Sequence, residues 1–219
     1  GALVTALGFG LSALVLLAAV QSAIDGNIAK RVPDRAPDYF VLDIPRDQVD
    51  EFETLVRNAD PGASWRTVPA LRGSVLAFGS EGAMTRTADL DEIPDGAWAL
   101  RGERGLTYAD RLPEGNELTE GTWWGPMYAG EPLVSVDEDF ADAAGLKVGD
   151  MLTFGVLGVE RTARIANLRR IDWESMGFNY VFVLSPNALQ DAPHNLAATV
   201  ELSRGTPTGP LLQSLVAAL

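Results

Sequence analysis

Histidine and cysteine, the side chains that most often carry nucleophilic or metal chemistry, are almost missing from this chain of 219 residues. It has one histidine, His194, and no cysteine. A Ser-His-Asp triad would have to use that histidine, and a zinc site needs several nitrogen or sulfur ligands. His194 follows a proline in a turn-like sequence, where a surface role is more common than catalysis. We therefore predict no catalytic residue, no metal site and no cofactor.

Acidic side chains offer a second kind of chemistry, and they cluster at Asp137, Glu138, Asp139 and Asp142. Such oxygens could bind calcium. They also stand where a short helix is predicted to begin, and carboxylates favour the positive end of the helix dipole. Neither G-x-x-x-x-G-K-[ST] nor G-x-S-x-G occurs, so neither a nucleotide-binding P-loop nor a hydrolase nucleophile elbow is predicted. The chain is predicted not to be an enzyme.

The densest aromatic stretch is Trp-Trp-Gly-Pro-Met-Tyr at residues 123–128. Trp, Tyr and Met are enriched in interface cores, and the Gly-Pro pair favours a loop that presents side chains at the surface. Trp123, Trp124, Met127 and Tyr128 are therefore a candidate contact site for a partner or a lipid. The alternative is that these rings fill the core beside a turn.

Overall charge bears on partners, because 30 acidic residues outweigh 17 basic ones and give a net charge of −13. An acidic surface repels phosphate backbones, so no nucleic-acid partner is predicted.

Residues 1–24 contain no charged side chain. About 20 apolar residues cross a bilayer core as a helix, and residues 3–24 meet that length. A signal peptide and a buried core helix are the alternatives, but the apolar run is long and has no polar stripe. We predict one transmembrane helix with its extension at residues 1–31. The absence of an initiator methionine indicates a fragment of a longer chain.

The remaining chain is predicted to be an α+β fold. Strand, helix and strand patterns follow one another within residues 38–80, with a strand at 39–44, a helix opened by Pro45, and strands at 65–69 and 74–78. A strand at 196–202 and a helix from 211 repeat the pattern in residues 195–219. Together they predict a split β-α-β subdomain whose closing strand lies beyond the last residue.

Residues 81–194 are predicted to form an inserted, mostly β subdomain. Its clearest strands are at 151–157, 161–168 and 178–184. A short helix at 137–144 is predicted to be capped by Asp137 and to end at Gly145.

Several segments resemble a known family. They are residues 5–17, 35–44, 102–124 (with Leu-Thr-Tyr at 106–108 and Leu-Pro at 112–113), 145–150 and 171–176. This ordered set resembles the FtsX-like and MacB-like ABC transporter permeases, with the YbbP-like permeases as the nearest branch.

The resemblance implies an extracytoplasmic domain in the bacterial inner membrane, on the periplasmic side, with porter-like and sabre-like subdomains. It also implies a separate cytoplasmic ATP-binding subunit, a lipid-like or hydrophobic substrate, and a periplasmic lysophospholipase- or thioesterase-like partner. Two alternatives stay open at this point: a membrane-anchored lipid hydrolase, and a periplasmic adaptor that binds a partner enzyme. A continuation of the native sequence beyond residue 219 into further membrane helices would favour the permease.

Overall fold

A computed structural model describes residues 36–175 and 177–218. The predicted transmembrane helix at residues 1–31 lies outside these described residues. Within them, no helix is long and apolar enough to cross a membrane. All the strands and helices given below lie in the compact unit formed by Pro37–Trp173 and Gly177–Leu219.

The described residues form ten strands and four α-helices. The strands are β1 (Tyr39–Ile44), β2 (Ser64–Ser80), β3 (Ala83–Arg86), β4 (Arg104–Tyr108), β5 (Asn116–Gly121), β6 (Leu133–Asp137), β7 (Met151–Val156), β8 (Val159–Ile171), β9 (Phe182–Leu184) and β10 (Asn195–Glu201). The helices are α1 (Val49–Ala59), α2 (Glu138–Ala144), α3 (Pro186–Leu189) and α4 (Gly209–Ala218). The predicted mixed α and β class is confirmed.

Strands β1, β10 and β2 form a three-stranded arrangement with β10 in the middle. Both pairings are antiparallel, so β1 and β2 run in the same direction and α1 connects them. Helices α1 and α4 cover one face of these strands. Their shared core includes Phe52 and Val56 of α1, Val200 of β10, and Leu211 and Leu215 of α4.

Strand β2 is longer than the sequence predicts. The prediction of two separate strands at 65–69 and 74–78 is wrong, because Ser64–Ser80 is one continuous strand. Its partner changes from β10 to β4 and β7 without a break in the backbone. Gly73 lies at this change, and a Cβ there would come within 2.8 Å of the Gly155 carbonyl oxygen. A glycine is needed here because two strands approach closely.

The second part of the fold is a closed ring of strands. β2 pairs with β4, β4 with β9, β9 with β6, β6 with β8, β8 with β7, and β7 again with β2. A core that includes Leu106, Phe140, Phe154 and Phe182 fills the ring. Closing the ring leaves few free strand edges, which limits association through exposed edges.

In this part of the fold, the predicted helix is confirmed as α2, and the strand predicted before residue 185 is confirmed only in part as β9. The Asp137 side chain accepts from the Phe140 N–H at 3.3 Å, and Gly145 takes the left-handed conformation at the end of α2 with φ 67°. The strand predicted at 178–184 is correct only for Phe182–Leu184. The preceding carbonyls of Tyr180 and Val181 accept from Arg169, and that of Val181 also accepts from the Asp137 N–H.

Candidate functional site

The outer face of β1, β10 and β2, opposite the two helices, is open. Along β1, Tyr39 and Val41 pack towards the helices, whereas Phe40 and Leu42 are exposed. Successive side chains of a strand point to opposite faces, so the register places Thr199 and Arg66 on the same side as Phe40. This face therefore combines apolar and polar side chains without a covering layer among the described residues.

A groove of about 450 Å³ lies between this face and the loops at the end of the ring. β2 and β10 supply one wall, and the end of β4 with the loop after it supplies the other. The segment before β9 completes the lining. The lining residues are Arg66, Val68, Thr107, Tyr108, Ala109, Arg111, Leu112, Pro113, Glu114, Gly177, Phe178, Tyr180 and Thr199.

Aromatic side chains form much of the groove wall. The Phe40 and Phe178 rings meet edge to face with centroids 5.6 Å apart, which extends the apolar surface from the groove onto the open face. Tyr108 and Tyr180 contribute two more rings, and burial raises the pKa of both hydroxyls. Both tyrosines therefore stay neutral, so these two side chains offer apolar ring surface and hydroxyl groups without a negative charge.

Arg169 positions the Tyr180 segment from beneath the groove. Its side chain is fully buried. Its guanidinium donates to the carbonyls of Tyr180 at 2.5 Å and Val181 at 3.0 Å, and to Asn116 Oδ1 at 2.8 Å. Desolvation lowers the pKa of Arg169 to about 10, and the charge of Asp137 opposes this shift only in part. A buried cation thus donates to this irregular backbone, and the Val181 carbonyl also accepts from the Asp137 N–H of β6 at 3.1 Å.

His194 is bonded at both ring nitrogens beside the groove. Nδ1 lies 2.7 Å from the Ala192 carbonyl oxygen, and Nε2 lies 3.1 Å from the Tyr108 hydroxyl. A carbonyl only accepts, so this network assigns the proton to Nδ1, and Nε2 accepts from Tyr108. In this arrangement the ring links the Tyr108 hydroxyl to the Ala192 backbone, and this helps to hold Tyr108 in the groove wall.

Charged side chains stand at the rim. Arg66 forms an ion pair with Glu114, and Arg111 lies 4.0 Å from Asp110. All four side chains are exposed, so water screens these pairs and each contributes little to stability. Their arginines are accessible to an anionic group of a ligand.

The four predicted contact residues do not line the groove, but two of them support its wall. Trp123 Nε1 donates to the Asp110 carbonyl at 3.2 Å, and Trp124 Nε1 donates to the Ala109 carbonyl at 2.8 Å. Trp124 is only 5% exposed.

The other two predicted contact residues face outwards to different degrees. Met127 is 94% exposed and has a left-handed backbone with φ 61°. Tyr128 is half-buried, and its hydroxyl lies over Gly130. The structure thus separates a buried tryptophan from an exposed methionine within one predicted site.

The acidic cluster has structural partners. Asp137 caps α2, and Glu138 accepts from Arg170 Nε at 2.5 Å. Among the residues that the structure describes, no group of three or more His, Cys, Asp or Glu side chains is placed to hold a metal ion.

Sequence reasoning missed Tyr108, Phe178 and Tyr180 as groove residues. The segments that carry the family resemblance could have found Tyr108, whereas Phe178 and Tyr180 lie outside them. The Leu-Thr-Tyr and Leu-Pro segments at 106–108 and 112–113 both supply lining residues. The segment at 35–44 supplies Phe40, which contacts the lining residue Phe178.

No family model matches the chain. Over 194 residues, 88% of this chain, it is 26% identical to an uncharacterized ABC transporter permease, YbbP, of Escherichia coli (strain K12). The permease resemblance predicted from the sequence is thereby confirmed. The chain spans 22% of the length of that relative. A crystal structure of a domain described as a permease protein of Porphyromonas gingivalis has a TM-score of 0.42 and 15% identity, and the match covers 75% of this chain and 67% of that one.

Proposed function

We propose that this chain is the extracytoplasmic domain of an ABC transporter permease, and that its groove takes up a lipid-like or hydrophobic substrate. Similarity to a permease over 88% of the chain is the observation that carries the assignment. The aromatic groove supports the choice of substrate, because it offers apolar surface with arginines at its rim. Lipids with an acidic headgroup have both parts of this chemistry.

The same assignment gives each part of the chain a task. Residues 1–31 would anchor the domain in the bacterial inner membrane, with the domain on the periplasmic side. A separate cytoplasmic ATP-binding subunit would drive the motion that the anchor relays. The porter-like subdomain at 38–80 and 195–219 and the sabre-like subdomain at 81–194 would form the two walls of the groove. Two separate hydrophobic cores, one that includes Phe52 and one that includes Phe182, support a division into two subdomains. Leu71, Val75 and Phe78 belong to the second core, which favours a boundary within β2 rather than after residue 80.

Neither comparison bears on the periplasmic lysophospholipase- or thioesterase-like partner that the resemblance implies. Its presence remains a proposal that follows from the family alone.

Site-specific photocrosslinking in bacteria tests the groove. Leu112, which is half-buried in the lining, is replaced by p-benzoylphenylalanine in the full chain, and adducts are identified by mass spectrometry. Leu212 of α4, which is exposed and outside the groove, is the matched control position. We expect lipid-mass adducts at position 112 and not at 212. We also expect Phe178→Asp to reduce them at least about fivefold, since it charges the apolar wall. Equal adducts at both positions, or none at 112, would refute the substrate proposal.

A further inference from the structure

The turn between β7 and β8 carries an apolar residue in an unfavourable conformation. Leu157 and Gly158 join the paired residues Val156 and Val159, with φ 50° at Leu157 and 80° at Gly158. A two-residue hairpin turn of this kind favours Asn-Gly, because a bulky side chain is strained at positive φ. Leu157 is nevertheless 68% exposed and Val159 is 53% exposed. Folding alone gives no reason for a leucine at this position.

A cavity of about 610 Å³ lies beside the turn of this hairpin. It opens beside β2 between Ala70, which pairs with β10, and Ser74, which pairs with β7. Buried Leu71 and Val156 are among its lining residues. No residue of this cavity belongs to the groove near Tyr108. The hairpin cavity is therefore a second, separate site.

The rim of the hairpin cavity carries two carboxylates and one guanidinium, and its net charge is negative. Glu103 and Glu160 both line it, and the Arg72 guanidinium neutralises Glu103 at 3.3 Å. Glu160 makes no ion pair among the described residues. One unpaired carboxylate next to exposed apolar side chains is complementary to a ligand with an apolar group and a neighbouring cation.

We propose that the hairpin cavity docks an extended segment of a partner protein in which an apolar side chain is followed by lysine or arginine. The apolar side chain packs on Leu157 and Val159, and the cation lies near Glu160. The gap beside β2 is suited to an extended backbone, which can add along a strand. A second copy of this chain is a poorer occupant, because two bodies of net charge −13 repel each other.

Binding of defined peptides to the full chain in lipid nanodiscs tests this inference. The probes are two Ser/Thr-based extended peptides, one with a central Leu-Thr-Arg and one with Leu-Thr-Glu, and the readout is amide NMR shifts. We expect the arginine peptide to shift Gly155 and Gly158 and to bind at least about fivefold more tightly than the glutamate peptide. Glu160→Gln should remove most of this difference.

The decisive variant is Leu157→Asn. It should reduce affinity for the arginine peptide at least about fivefold while leaving the melting temperature unchanged or higher, because Asn tolerates positive φ. Met127→Asn is the matched control, because Met127 is also an exposed apolar residue with positive φ but lies outside the hairpin cavity. This change should leave peptide binding unchanged. Unchanged binding in Leu157→Asn, equal affinity for both peptides, or shifts of Gly158 that depend only on protein concentration would each overturn the inference.

Discussion

Replacing Trp124 by alanine is expected to lower the free energy of unfolding by about 3–5 kcal/mol. The Trp124 side chain is buried, and its ring lies with its centroid 4.1 Å from that of Trp123 at an interplanar angle of 31°. Truncation empties this space and leaves the Ala109 carbonyl without its 2.8 Å hydrogen bond from Nε1. At about 2–4 °C per kcal/mol for a domain of this size, the melting temperature should fall by roughly 6–20 °C.

Thermal melts followed by near-UV circular dichroism, on the full chain in detergent, measure this loss. Met127→Ala is the control, because Met127 is exposed and its truncation should change stability by less than about 0.5 kcal/mol. Trp124→Phe should fall between the two, since it keeps a ring but loses the hydrogen bond to Ala109. A Trp124→Ala protein that melts within about 2 °C of the original would refute the structural role. The residue would then be a contact residue.

Two further predictions concern buried charges. Arg169→Met should cost about 3–5 kcal/mol in urea denaturation, because Asn116 Oδ1 and the carbonyls of Tyr180 and Val181 all lose a hydrogen bond from the guanidinium, and only Val181 keeps another, from the Asp137 N–H. Arg169→Lys should restore little of this loss. Hydrogen bonds from the backbone of Ser203 and of Gly62 lower the pKa of Asp60 below 3.8, so its stabilisation is present above about pH 4 and is lost as the pH falls through the folded-state pKa. In the Asp60→Asn protein, the melting temperature should therefore fall less steeply as the pH drops below about 4. A fall as steep as that of the original protein would contradict this.

Short-range signals explain what the sequence could predict. The strand at Tyr39–Ile44 follows from its run of β-branched and aromatic residues, and α2 follows from Asp137 before it and Gly145 after it. Capping and alternation act over a few neighbouring residues, so they can be recognised without knowing the fold. The same reasoning identified Trp123–Tyr128 as an aromatic segment, but could not separate buried from exposed members.

The groove depends on contacts that no local pattern encodes. Arg66, Tyr108 and Phe178 lie far apart in the sequence and meet only because β2 continues from the three-stranded arrangement into the ring. At the point where β2 changes partner, Gly73 admits the close approach of Leu106 and Gly155, which no local pattern in β2 reveals.

The sequence by itself determined the charge balance and the order of most strands and helices, because these depend on composition and on neighbouring residues. Only the tertiary structure decided that Arg169 is buried beneath the groove and that Leu157 is strained at the rim of a second cavity. Burial and backbone strain arise from pairings between distant strands, and those pairings are a property of the whole fold.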